Sequence, residues 1–256
     1  MLNRLKGVFI LLPLLVVLFI GGLPLYITAF TLSILGIYEV YSSFHSKNIN
    51  PIYNIGYLFI FCLFITNSFG YSYKLIVVFS LFLLVTSTIY ILYLKRNIID
   101  VAVTLLGIMY VAIPFQMIVL MHKQSAFKPN LTFIVFIIAF STDIFAYFSG
   151  KLFGKHKLIP HVSPNKTIEG SLGAIVGTTL AITLYSILFG LNLNIFIPLA
   201  VIGSIFAQLG DLFASSIKRF NGLKDFGHLI PGHGGIIDRF DSILFVTPLL
   251  YAILIF

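Results

Sequence analysis

Polar positions are sparse along this chain and gather in short clusters between long uncharged runs. The first run, 7–38, covers 32 residues, or about 48 Å as a helix. That is too long for one crossing of a bilayer core about 30 Å thick and short for two full ones. Gly21, Gly22 and Pro24 interrupt it, which predicts a tight pair of short helices. Further apolar segments follow at 55–69, 75–93, 100–121 and 131–149. The stretch 171–210 carries no charge and breaks at 190–194 (GLNLN), which predicts two more helices, and a last one covers 240–256. The pattern predicts an all-α, polytopic transmembrane bundle of about nine spans, the third being the shortest. Arg4 and Lys6 ahead of the first run imitate a signal peptide, but that run is too long and shows no A-x-A site, so it is read as retained.

Composition agrees with the pattern. Of 256 residues, 59% are hydrophobic and 9% charged, with a mean hydropathy of +1.06. A soluble domain carries roughly a quarter charged residues. Net charge is +8, and its placement matters more than its size. With a cytoplasmic N-terminus and nine crossings, 13 of the 16 basic residues fall inside, and only Lys74, Lys123 and Lys128 fall outside. This is the positive-inside asymmetry, and with no soluble basic domain it argues against nucleic acid as a partner. Cys62 is the only cysteine, so no internal disulfide forms. The same threading puts the two longest polar loops, 150–170 and 214–238, on the cytoplasmic face. Six of the eight acidic residues follow position 140. The chain therefore reads as an N-terminal transmembrane scaffold, 1–130, and a C-terminal transmembrane catalytic region, 131–256.

The carboxylates carry the chemistry. An ionised side chain in a span costs at least about 2.5 kcal/mol and usually faces a polar cavity. Asp143 lies about two turns inside the sixth span, Asp211 ends the eighth, and Asp241 begins the ninth. On a continuing helix Asp211, Ser215 and Lys218 form one stripe at i, i+4 and i+7, and Asp238 and Asp241 share a face at i and i+3. Two helix ends presenting carboxylates suit a hard cation such as Mg2+, which takes one or two carboxylates plus substrate phosphates. No Cys/His cluster suits zinc. Between those ends lie Lys218 and Arg219, Lys224 and Asp225, then 231–235 (PGHGG), which contains His233, Gly234 and Gly235. Glycine admits close approach of backbone N–H groups to an anion, and a helix N-terminus favours negative charge. The inventory fits phosphoryl or nucleotidyl transfer. The other cytoplasmic loop contains 163–170 (SPNKTIEG). Its Ser163, Lys166 and Thr167 are equally readable as a phosphate grip or as a capped helix start.

The run 215–241, SSIKRFNGLKDFGHLIPGHGGIIDRFD, fills the pattern S-x-x-K-R, four residues, K-D, then P-G-H-G-G-x-x-D-R-x-D. It resembles the C-terminal signature of phosphatidate cytidylyltransferases, also called CDP-diacylglycerol synthases. The blocks 143–150 (DIFAYFSG), 163–170 and 208–212 (QLGDL) are similar to family blocks too, and the resemblance extends over about 130–256. It implies transfer of a cytidylyl group from CTP to phosphatidic acid in the bacterial inner membrane, at a site facing the cytoplasm. It also implies Mg2+, alone or with a second metal ion, held by Asp211 and Asp238, with Asp241 and Asp143 close behind. Lys218, Arg219, Lys224 and Arg239 would neutralise phosphates, with Asp225 beside them. Ser163, Lys166, Thr167, Ser215, His233, Gly234, Gly235 and Asp143 would line the substrates. Asn165 stands where lysine or glycine is expected. The implied partners are CTP, phosphatidic acid and membrane lipids, in a monomer or a homodimer.

Two other classes compete. An ion-coupled transporter would place its carboxylates near the bilayer midplane and show paired half-repeats; here the acids cluster at one face. A CDP-alcohol phosphotransferase would carry D-G-x-x-A-R, which this chain lacks. A cytidylyltransferase or CTP-using kinase acting on another lipid is the nearest alternative.

Overall fold

The structure, a computed structural model, describes residues 13, 16–68, 73–93, 97–124, 131–227, 229 and 234–255. Among them five helices are long and apolar enough to cross a membrane, and two shorter apolar ones accompany them. The chain is an integral membrane protein, helical in nearly every described element.

Helical residues 16–20 run up to Gly21, whose φ of 63° and ψ of −149° break the backbone before α1, Gly22–Ser43. The break falls where the Gly-Gly pair predicts it. The helix, however, does not stop at Tyr38: it carries Glu39 inside and ends four residues later. After it come α2 (Tyr53–Ser68), α3 (Tyr73–Tyr93) and α4 (Ile98–Gly107). A π-turn at Ile108–Ala112 leads from α4 into α5, Ile113–Gln124. Then follow α6 (Leu131–Phe153), α7 (Ile168–Phe189), α8 (Leu193–Phe220) and α9 (Ile237–Ile255). The 28 residues of α8 make about 42 Å, more than a bilayer core needs. The polar stripe from Asp211 to Lys218 is thus its last turns, unbroken.

Among the described residues the strands are those of a small antiparallel hairpin, Lys157–Ile159 (β1) with Ser163–Thr167 (β2), inside the loop expected at 150–170. Glu169 clasps its root. The Glu169 carboxylate accepts the Lys155 and His156 backbone N–H groups at 3.0 and 3.2 Å and lies 2.7 Å from His156 Nδ1.

Contacts divide the chain into two units, and the first is discontinuous: residues 1–120 and 221–237. The interval 221–237, assigned by sequence to the C-terminal region, therefore packs with the N-terminal helices. Within this unit both early acids are buried. Asp100 completes a capping box with Asn97 at the start of α4 and accepts the Asn50 N–H at 2.7 Å. Tyr41 is fully buried and donates to the Thr104 carbonyl at 2.6 Å.

The second unit is 121–220 with 238–256. Its helices approach closely where side chains vanish. A Cβ on Gly173 would lie 2.0 Å from Ser149 Oγ, and one on Gly177 would lie 2.1 Å from the Phe145 ring. Small residues are the usual means of helix association in lipid, with hydroxyl bonds across the seam. Here Thr142 of α6 bonds Thr178 of α7 at 2.9 Å and Ser204 of α8 at 3.1 Å, all three buried.

Candidate active site

The second unit gathers most of the acidic and basic residues singled out above. Asp143 comes from α6, Lys166 from β2, Asp211, Ser215, Lys218 and Arg219 from α8, and Asp238, Arg239 and Asp241 from α9. Helices α8 and α9 come together backbone to backbone at Gly210, where a Cβ would lie 2.5 Å from the Asp241 carbonyl oxygen. Phe213 and Phe245 pack beside it, their rings tilted at 49° with centroids 5.3 Å apart. Asp211 and Asp241 are neighbours because Gly210 permits it.

Electrostatics follow from that proximity. Asp143, Asp211 and Asp241 repel one another, with Lys166 and Arg239 offsetting the repulsion at Asp143 and Lys218 at Asp241. Lys166 Nζ pairs directly with Asp211 Oδ2, while Ser215 Oγ donates to Asp211 Oδ1 at 3.3 Å. The predicted i, i+4 contact between Asp211 and Ser215 is therefore made. Lys218, the i+7 member, turns instead to α9 and pairs with Asp238 at 2.7 Å, where the two side chains are 10% and 2% exposed. Ser242 Oγ lies 3.5 Å from Asp143 Oδ1.

A cavity of about 470 Å³ opens between α6, α7 and α8. Asp143, Lys151, Lys166 and Asp211 contribute its charged groups, Tyr147 and Leu158 part of its apolar wall. Across it Ser171 Oγ donates to Gln208 Oε1, and Gln208 Nε2 donates to the Ser171 carbonyl at 3.3 Å. Thr167 caps α7, its Oγ1 accepting the Gly170 N–H at 3.1 Å, so the capped-start reading of 163–170 holds for Thr167 while Lys166 faces the carboxylates. Ser163 opens β2 and is half-buried. Arg219 is exposed and donates through Nε to the Val162 carbonyl at 3.2 Å, tying the end of α8 to the hairpin turn.

Four other candidates, Lys224, Asp225, Gly234 and Gly235, belong to the first unit. Lys224 is exposed and Asp225 half-buried, and Gly235 is buried against the Glu39 carboxylate. His233 lies outside the described residues.

Among the described residues, no three His, Cys, Asp or Glu side chains converge as a metal-holding group. The donor set still suits Mg2+, which needs only one or two carboxylates when substrate phosphates complete its shell. Mutually repelling acids beside few cations are the chemistry such an ion relieves.

Gln208, Ser171 and Tyr147, which line the cavity, and Glu39, buried on α1, are not among the site residues named from the sequence. Gln208 had a signal, since it opens the block 208–212 (QLGDL) three residues before Asp211. Glu39 had only its charge.

A family model described as the cytidylyltransferase family matches residues 3–256. The phosphatidate cytidylyltransferase of Staphylococcus haemolyticus (strain JCSC1435) is 44% identical over 160 residues, covering 61% of this chain and 60% of that protein. The proteins of the same name from Staphylococcus epidermidis (strain ATCC 12228 / FDA PCI 1200) and Staphylococcus aureus (strain COL) are 45% and 43% identical over 160 and 158 residues, again 61% of this chain and 60% of theirs. The matched stretch thus spans about three-fifths of these relatives.

Proposed function

Because the chain belongs to the cytidylyltransferase family, we propose that it transfers a cytidylyl group from CTP to phosphatidic acid, giving CDP-diacylglycerol and pyrophosphate. The observation that carries this reading is the Lys166–Asp211 pair beside a cavity that Asp143 also lines, one helix end from the buried Lys218–Asp238 pair. Relatives that share the matched stretch bear the name of this activity.

In the reaction, a phosphatidate oxygen attacks the α-phosphorus of CTP. The new P–O bond forms as the bond to the β-phosphate bridge breaks, and pyrophosphate leaves with the electron pair. A phosphate monoester is already an anionic nucleophile, so no side chain is assigned as general base. Lys166, reaching from the hairpin, and Lys151, on the cavity wall, meet the arriving phosphates. Arg219 and Arg239 are exposed on the same unit and add positive charge. Lys218 holds Asp238 in one orientation. Ser171 and Gln208 lock α7 to α8 across the cavity and offer polar atoms to a sugar or base. Asp211, with Asp238 and Asp241 on the facing helix, would hold Mg2+. When bound, that ion neutralises charge on the transferring and leaving phosphates.

The finer topology belongs to the same proposal. Nine crossings with a cytoplasmic N-terminus, in the bacterial inner membrane, put the hairpin and the site on the cytoplasmic side, where CTP is available. The distribution of basic residues supports it. The test is direct: purify the protein in detergent, supply labelled CTP, Mg2+ and phosphatidate, and look for labelled CDP-diacylglycerol. Product that requires the metal and disappears in Asp211→Asn is expected. No product from the unmodified protein, or full activity in the variant, sinks the proposal.

A further inference from the structure

The residue that holds the start of α9 lies in the first helix, not in the acidic cluster. Glu39 is 2% exposed on α1. Its Oε1 accepts the Ile236 N–H at 2.9 Å and its Oε2 the Ile237 N–H at 3.0 Å. These are donors that a helix start leaves without intrahelical partners, and a carboxylate also complements the positive end of the helix dipole. Two glycines make room for it. A Cβ on Gly235 would lie 2.5 Å from Oε2 and 2.6 Å from Oε1, and one on Gly227 would lie 3.0 Å from Oε1. One turn earlier on α1, a Cβ on Gly36 would lie 2.9 Å from Ile237 Cδ1, so backbone and side chain are both gripped at the same point.

We infer that Glu39 is a positioning residue for the reaction, its carboxylate fixing the height and rotation of α9 through the Ile236 and Ile237 amides. The next residue of that helix is Asp238, and Asp241 follows one turn on. A helix free to rotate or slide at its first turn would carry both carboxylates with it, and a displacement of about 1 Å costs on the order of 10²-fold in rate. The glycines at 227 and 235 then serve the carboxylate of Glu39 rather than a bound phosphate.

The activity arm of the test rests on the cytidylyl-transfer reading; a second arm does not. In detergent, with phosphatidate, CTP and Mg2+, Glu39→Gln should lower kcat about 10- to 100-fold while the KM for CTP changes less than about threefold, because no substrate contact is lost. Hydrogen exchange followed by mass spectrometry, with no substrate present, should show the 236–241 peptide exchanging at least about tenfold faster in the variant. Wild-type kcat together with wild-type exchange overturns the inference.

Should Glu39→Gln fail to fold, Gly235→Ala crowds the same carboxylate from the other side. Adding Glu39→Asp, which retracts it by about 1.5 Å, should then restore activity at least tenfold over Gly235→Ala alone, and no rescue overturns the inference. If the unmodified protein makes no product, the reaction is lost but not the clamp. Exchange then decides alone, faster exchange supporting it and unchanged exchange overturning it.

Discussion

Replacing Lys218 by methionine removes one half of an ion pair whose members are 10% and 2% exposed. The remaining carboxylate of Asp238 would stay buried in an apolar helix seam without its nearest cation. Breaking a buried pair in this way costs roughly 3–5 kcal/mol. Both groups have further interactions besides this bond, which favours the lower end. At about 2–4 °C per kcal/mol the unfolding midpoint in detergent should fall on the order of 10 °C. Asp238→Asn should cost less, since an amide oxygen still accepts from Lys218. The double variant, Lys218→Met with Asp238→Asn, removes both charges of the pair and should regain at least half of the stability lost in Lys218→Met. It should not regain activity, because the carboxylate assigned to the metal is gone. Stability comes from unfolding followed by scanning calorimetry or tryptophan-free spectroscopic probes, and activity from labelled CTP. A coupling energy below about 0.5 kcal/mol would refute the pairing, and a double variant with near wild-type turnover would refute the catalytic assignment of Asp238.

Three further outcomes are expected. Gly210→Ala places a methyl 2.5 Å from the Asp241 carbonyl oxygen; backbone cannot swing aside as a side chain does, so α8 and α9 must part, at about 1–3 kcal/mol in stability and at least about tenfold in turnover. Lys166→Met deletes the cation that pairs with Asp211 and should lower kcat/KM by roughly 10- to 150-fold, equivalent to about 1.5–3 kcal/mol for a charged hydrogen bond, measured by varying CTP at fixed phosphatidate. Chelation with EDTA should abolish product formation, and added Mg2+ should restore it. Calcium, larger and looser in its coordination, should restore less, and full activity in the chelator would remove the metal from the scheme.

The helices were legible because lipid enforces their signal. A backbone in hydrocarbon must satisfy its own hydrogen bonds, so uncharged runs such as 55–69 and 75–93 become α2 and α3 with ends displaced by a few residues. The stripe Asp211, Ser215, Lys218 was legible for the same reason, as it needs only a continuing helix. Pairings between distant positions were not. Lys166 meets Asp211, and Lys218 meets Asp238, through packing that no local period records. The hairpin was hidden because 163–167 (SPNKT) has no apolar alternation and contains a proline; it is closed instead by Glu169 from the following helix. In the sequence Glu39 is only the charge that follows the uncharged run 7–38, since its partners lie 197 and 198 positions away. The same distance hid the packing of 221–237 with the early helices.

That separation also sets a timetable for assembly. Glu39 enters the growing chain 198 residues before the second amide it accepts from. At a synthesis rate of about 5–20 residues per second, the carboxylate waits roughly 10–40 s in the ribosome-bound chain before Ile237 is made. Throughout that interval it must be hydrated, protonated or sheltered by another group, and the α1 segment cannot settle into its final burial. The burial of Glu39 is therefore completed only once 236–237 has been made, and a chain truncated before residue 236 lacks both amide donors that its carboxylate accepts from.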